Sequence, residues 1–393
     1  MGLDLKRERG MPLEEQEFDW KELAGLPYSK LDADAFSRVR VILMNGIESE
    51  ALRFQHAMAR SNDGELRRAL ARVRRSEQHQ QTLVNWLNPA DQSPLETTIG
   101  YEQVAIEVTS HVAQHEPDPY LAQVYRFGLL EDFDHMYRYA ALLDRLEGKD
   151  ANAILQGYTD VMPGRPTVDE HRHPHDDVRD PYDRRTAHPL SKLNALTIVA
   201  GEHQTHDYYM HVGPLFADPV ARQLYAEIAS IEEQHVTQYE SLTDPAESWL
   251  EKWLLHEATE VWNYWSCLAD EGDRRLKAIW QRLLDQELGH LVFVRELFER
   301  QEARDPWEIV PATLPDPIKY EGHREFVRDT LARELELRAN GTRFVPRGEE
   351  SEASLAYRRR INAEGSPSET VSKGWTWRPG GELFVPAEGV VTH

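Results

Sequence analysis

Eight stretches of the 393-residue chain carry apolar residues at three- and four-residue steps. That period fits an amphipathic helix and excludes a pleated strand. Four of the stretches lie between 37 and 148: VRVILMNGIESEALRFQHAMAR, ELRRALARVRRSEQHQQTLVNWL, TTIGYEQVAIEVTSHVAQ and PYLAQVYRFGLLEDFDHMYRYAALLDRLEG. The breaks SNDG, NPADQSP and HEPDP are helix punctuation. Four more stretches lie between 191 and 302, broken by GPLFAD, TDP and a turn near Gly272.

Helices of this length with short loops stack as antiparallel bundles. The chain is therefore expected to be all-α, with two tandem four-helix bundles and an irregular C-terminal tail. Residues 1–36 read as an N-terminal arm, 37–148 as the first bundle and 191–302 as the second. Between them, 149–190 is broken by five prolines and crowded with His, Asp and Arg, as expected of a solvated crossover. The extension 303–393 is rich in Pro, Gly and Trp, with one helix expected near 321–339.

The formal charge of −23 argues against a nucleic-acid partner. No apolar run is long enough to span a membrane, and the N-terminus lacks the apolar core of a secretory signal. Cys267 is the one cysteine, which excludes a disulfide framework, a four-cysteine iron–sulfur site and a thiolate zinc site. A cytoplasmic protein is expected, with Cys267 as a small buried hydrophobe.

Two Glu-x-x-His patterns lie in the second bundle, Glu232 with His235 and Glu287 with His290. Chance alone supplies such matches, and Glu170 with His173 in the linker reads as one. The spacing carries more. The two motifs are fifty-five residues apart, and thirty residues before each lies another glutamate, Glu202 and Glu257. In antiparallel helices, equal distances from a turn mean equal heights. Four carboxylates and two imidazoles are therefore expected at one level, and residues at i and i+3 share a helical face. Tyr225, Ile228, Glu232, His235 and Tyr239 form one stripe; Trp253, Glu257, Glu260, Tyr264 and Cys267 form another. Charges on such stripes are costly unless paired or metal-bound.

This constellation resembles the ferritin-like di-iron and di-manganese carboxylate proteins, whose bundle core takes one Glu from each of two helices and Glu-x-x-His from each of the other two. The resemblance covers 191–302 and implies a ferritin-like fold with two Fe or Mn ions per chain. By position it makes Glu202 and Glu257 the single glutamate ligands, Glu232 and Glu287 the bridging carboxylates, and His235 and His290 the terminal imidazoles. Glu260 looks like the additional third-helix glutamate of rubrerythrins. The thirty-residue interval is shorter than that family's, and no rubredoxin module is present. His206 and Tyr264 are candidates for a supporting position beside the ligands. No catalytic residue beyond the ligands is implied.

The first bundle reads as a degenerate copy. Glu102 precedes Asp132 and His135 by the same interval, but Ser76 takes the glutamate place before His79, and Gly46 lies where the preceding glutamate is needed. No dinuclear centre is expected there, at most one ion on Glu102, Asp132 and His135. The linker histidines His171, His173 and His175 are read as solvated. The implied function is an oxidoreductase acting on O2 or hydrogen peroxide, with an electron donor the sequence does not name and a homodimer as the oligomer. The alternatives are a metal-handling ferroxidase and a non-enzymatic helical protein with a vestigial site.

Overall fold

The computed structural model describes residues 2–377; Met1 and the last part of the C-terminal extension, 378–393, lie outside the described residues. The all-α expectation holds. A short α1 (Trp20–Ala24) precedes two long hairpins, α2 (Ala35–Ser61) with α3 (Gly64–Asn85) and α4 (Pro94–His115) with α5 (Pro119–Glu147). The linker holds α6 (Asn152–Leu155) and α7 (Thr167–Glu170). Two further hairpins follow, α8 (Pro189–Val212) with α9 (Pro219–Glu240) and α10 (Trp249–Asp270) with α11 (Arg274–Glu302). The tail adds α12 (Arg324–Glu334), an antiparallel ribbon of β1 (Leu337–Asn340) and β2 (Arg343–Pro346), α13 (Glu352–Ile361) and α14 (Pro367–Val371).

Local chemistry sets the helix starts. Ser93 and Ser248 each accept from the backbone N–H three residues on, and Glu96 and Glu251 return a bond to the serine N–H. Asp118 and Asp218 cap α5 and α9, whose first residues are Pro119 and Pro219.

The hairpins pair out of chain order. α2 lies along α8 and α4, while α10 lies against α2 and α8, so the first helices of all four hairpins form a central layer. On one side of it α5 and α9 come together; on the other are α3 and α11. The bundles expected at 37–148 and 191–302 are therefore not separate units. One hydrophobic cluster runs through both halves of the chain, including Val41, Val104, Val199, Leu254 and Leu291. Gly46 shows why α2 can lie so close to α8. A Cβ there would sit 2.7 Å from Gln204 Cδ and 2.8 Å from the Ala200 carbonyl. Gln204 in turn donates to the Ile42 carbonyl at 2.5 Å and accepts from Asn45 at 2.9 Å.

The linker is not a solvated crossover. Arg165, Thr167, Glu170, His171, Arg172 and Arg179 are all buried, while His173 and His175 stay nearer the surface. Arg165 N–H donates to the Leu130 carbonyl at 2.8 Å, which lays the segment directly on α5. The tail closes over the same side, with α12 on α5 and α14 on α9. The helix expected near 321–339 is present as α12, and its last residues instead form β1. Among the described residues, no helix is long and apolar enough to cross a membrane.

Candidate metal centre

The stripes face inward as their period requires: Glu202, Glu232, His235, Glu257, Glu260, Glu287 and His290 are all buried. They do not meet at one centre. Glu202, Glu232 and His235 join Glu102, Asp132 and His135 between the inner hairpins, α4–α5 and α8–α9. Glu257, Glu260, Glu287 and His290 join Glu48 and Glu77 between the outer hairpins, α2–α3 and α10–α11. Glu287 therefore does not share a centre with Glu232. Residues of the first half thus lie beside each group from the second.

In the inner cluster, ligand-type atoms of Asp132, Glu202, Glu232 and His235 lie within 4.8 Å of one another, as do those of Glu102, His135 and Glu232. Glu232 belongs to both groups. Its Oε1 is 3.0 Å from His135 Nδ1 and its Oε2 is 3.3 Å from His235 Nδ1. His235 Nδ1 is also 3.2 Å from Asp132 and 3.5 Å from Glu202. The Tyr209 hydroxyl donates to Glu102.

Each imidazole turns Nδ1 inward and is held from behind. His235 Nε2–H donates to Glu131 at 2.7 Å, and His135 Nε2–H to Glu170 at 3.0 Å. Glu131 also accepts from Arg172 at 2.6 Å and Arg165 at 3.1 Å. Burial opposes its ionisation, but Arg172, His235 and Arg165 together hold its carboxyl well below the usual range. A fixed Nε2–H leaves Nδ1 as the atom offered to a cation, the arrangement that orients histidine ligands.

The outer cluster repeats this plan with substitutions. Tyr264, seven residues after Glu257, donates to Glu48, as Tyr209, seven after Glu202, donates to Glu102. Gln80 stands where His135 stands, its Nε2 2.6 Å from Glu287 Oε1. His290 Nδ1 lies 3.1 Å from Glu287, 3.9 Å from Glu257 and 4.0 Å from Glu77. Its Nε2 meets Gln16 Oε1 at 2.6 Å. The Gln16 amide has no freedom to turn, because its Nε2 donates to the carbonyls of Met11 at 2.8 Å and Gln286 at 3.0 Å. Its oxygen must therefore accept, which keeps the His290 proton on Nε2. Gly289 makes this contact achievable: a Cβ there would overlap the Met11 carbonyl.

Without a cation, protons hold these clusters together. Burial, reinforced by Asp132 and opposed by His235, pushes Glu202 well above the usual carboxylate range. Burial does the same to Glu102, with His135 opposing, and to Glu260, with Glu287 and Glu77 adding to it. Burial works against protonated His235, yet Asp132, Glu131 and Glu202 raise it well above its ordinary value. Both oxygens of Asp132 and of Glu260 lack a hydrogen-bond partner, as do one oxygen each of Glu102, Glu202, Glu232 and Glu257 and the Nδ1 of His235. Ionised, carboxylates buried this way would cost several kcal/mol each unless compensated. A cation at either convergence point would satisfy them, and a carboxylate-rich set with imidazole suits iron or manganese better than copper or zinc.

The Tyr264 hydroxyl donates to Glu48. His206 does not support a ligand: its side chain is 28% exposed and faces Asp207 at 3.5 Å. Ser76 and His79 are not ligands either. Ser76 donates to Gln16 and half-buried His79 packs on Phe18, while Glu77 and Gln80, one residue further along α3, occupy the cluster. Glu170, a chance match with His173 by sequence, accepts from His135. Cys267 is buried, as expected, and burial pushes its thiol up to about 12. No family model, curated protein or solved structure matches this chain.

Proposed function

We propose that the inner hairpins form a ferritin-like bundle holding two iron or manganese ions, and that the protein is an oxidoreductase acting on hydrogen peroxide or O2. The observation carrying this reading is Glu232, shared by two groups of buried ligand atoms that each contain one histidine. Glu232 would be the carboxylate shared by the two ions, with Glu102 and His135 holding one and Asp132, Glu202 and His235 the other. A bound pair of such ions supplies the electrons for two-electron reduction of a small oxidant.

The chain's own residues do the rest. Glu131 and Glu170 hold the Nε2 protons of His235 and His135, so neither ring can turn its Nδ1 away. Burial of both histidines and of Glu102, Asp132 and Glu232 to 1% exposure or less keeps bulk water out and restricts entry to small molecules. The Tyr209 hydroxyl, donating to Glu102, offers a proton beside the ligand set. The two electrons come from an external donor, because the chain has no cysteine-bound carrier.

Anaerobic protein loaded with Fe2+ and mixed with each oxidant in a stopped-flow spectrometer tests the proposal. Rapid oxidation by peroxide that disappears in Glu232→Ala is the expected result. Inertness of the loaded wild-type protein to both oxidants would refute the reading.

A further inference from the structure

The outer cluster differs from the inner one where metal choice is decided. Matching the two by their shared contacts pairs Glu48 with Glu102, Glu77 with Asp132, Gln80 with His135, Glu257 with Glu202, Glu287 with Glu232 and His290 with His235. Glu260 has no counterpart. The inner set thus offers one imidazole to each of its two positions. The outer set offers one imidazole in all, His290, grouped with Glu77 and Glu257. Its other position, where Glu257, Glu260 and Glu287 converge, has no imidazole; the nitrogen beside it is the Gln80 amide, which donates to Glu287 and has no lone pair to offer a cation.

Acidic residues in a group do not by themselves make a site. Here a separate observation points to a ligand: Glu260 is 2% exposed and neither of its oxygens has a hydrogen-bond partner. The free oxygens of Glu48 and Glu257 are likewise buried without partners. No arginine or lysine pairs with Glu48, Glu257, Glu260 or Glu287 among the described residues. Gln55 donates from one amide to both oxygens of Glu77 at 2.6 Å, which anchors that carboxylate without neutralising it.

We propose that the outer cluster is a second cation site, independent of the inner one, whose histidine-free position takes a hard divalent ion of the Mn2+ class. The reason is donor chemistry. Imidazole favours the later ions of the first row, whereas carboxylate, amide carbonyl and water suit Mn2+, Mg2+ and Ca2+. Removing the imidazole removes the preference that iron draws from nitrogen. Five carboxylates around one imidazole also make this cluster the more anionic of the two, since the inner cluster has four around two. The Gln16 brace on His290 is neutral where Glu131 and Glu170 are carboxylates, so His290 is the less basic donor. The two centres would therefore fill with different ions under the same supply.

The test uses full-length protein, stripped with chelator and reloaded anaerobically with equimolar Mn2+ and Fe2+. Metal content is read by mass spectrometry and by the Mn2+ electron paramagnetic resonance signal. The expected result is manganese retained alongside iron. In the Glu48→Gln, Glu260→Gln double variant, manganese should fall to roughly a third or less while iron stays. Gln80→His should instead exchange manganese for iron with total metal unchanged, a gain that misfolding cannot produce. Manganese unchanged in the double variant, or a Gln80→His protein with the wild-type metal ratio, would overturn the proposal. Glu232→Ala separates the two readings: it should remove iron and leave manganese. Loss of manganese in Glu232→Ala would place that ion in the inner centre and refute a second site. Retention of all iron would instead refute the inner assignment and leave this one standing.

Discussion

Glu131→Gln is the most informative single change behind the ligands. The carboxylate serves three donors with two oxygens: His235 Nε2–H on one, Arg172 and Arg165 on the other. Glutamine has the same shape but only one acceptor oxygen. Whichever way its amide turns, an NH2 group faces either the imidazole N–H or the guanidinium pair. A buried donor left without an acceptor costs about 1–3 kcal/mol. The fold should survive, because Arg172 keeps Asp177 at 2.5 Å and Arg165 keeps the Phe127 carbonyl at 2.9 Å. The loss should therefore appear in metal affinity, where removing such a support typically costs about 10–100-fold. That range equals about 1.4–2.7 kcal/mol, in line with one unsatisfied donor. Competition against a chromophoric Fe2+ chelator measures it directly. Affinity within a factor of about two of wild type would show that Glu131 does not position His235.

Three further outcomes follow from the same geometry. Gly289→Ala should lower stability by about 1–3 kcal/mol in chemical denaturation and weaken the outer centre alone, because the new Cβ displaces Met11 and with it Gln16. Wild-type metal content and stability in that variant would mean that the N-terminal segment is not needed there. The metal-free protein should lose thermal stability as pH rises from about 5 to 8. Burial raises Glu77 to about 7 and Glu170 to about 8, so their unfolded forms ionise first and the folded state is penalised as pH climbs. His235 and His135, raised by their carboxylate neighbours, contribute stability that is complete below the unfolded histidine value and is also lost on going up. Glu131 and Glu232, both lowered, contribute stability that is lost only in acid, below this window. A melting temperature that rises across that range would contradict these assignments. Metal should flatten the slope, since bound ligands are deprotonated at every pH tested.

Much of the centre is written in the helix period. The stripe Tyr225, Ile228, Glu232, His235, Tyr239 is buried throughout because a 3.6-residue repeat places all five on one face. Equal distance from a turn did bring Glu202 level with Glu232, and Glu102 level with Asp132. What the spacing does not encode is which hairpin faces which. Each of the four carries a Glu on its first helix and an acidic residue followed by x-x-His or x-x-Gln on its second, so the spacing alone fits several pairings. The usual preference for neighbours in sequence pointed to the wrong partners. The linker, laid on α5, lets α9 meet α5, and the close approach at Gly46 sets α2 beside α8.

The outer half-site on α2 and α3 was hidden by a shift of one residue. Glu48 and Glu77 are twenty-nine residues apart where the other three pairs are thirty apart, and Gln80 replaces the histidine. An interval of thirty falls instead on Gly46 and Ser76, with His79 three residues on. An x-x-Gln match at Glu77 was the available signal. Gln16 had none, because its role depends on a glycine in a helix nearly three hundred residues away. Glu170 showed only as part of a motif whose histidine is irrelevant to it.

The proposed metal pair sits on Glu232, between inner hairpins drawn from both halves of the chain. Anomalous diffraction at the iron and manganese edges, from crystals of metal-replete protein, measures this directly. Two peaks flanking Glu232, one beside His135 and the other beside His235, are the predicted result. Peaks joining Glu232 to Glu287, or no density at the inner cluster, would contradict it.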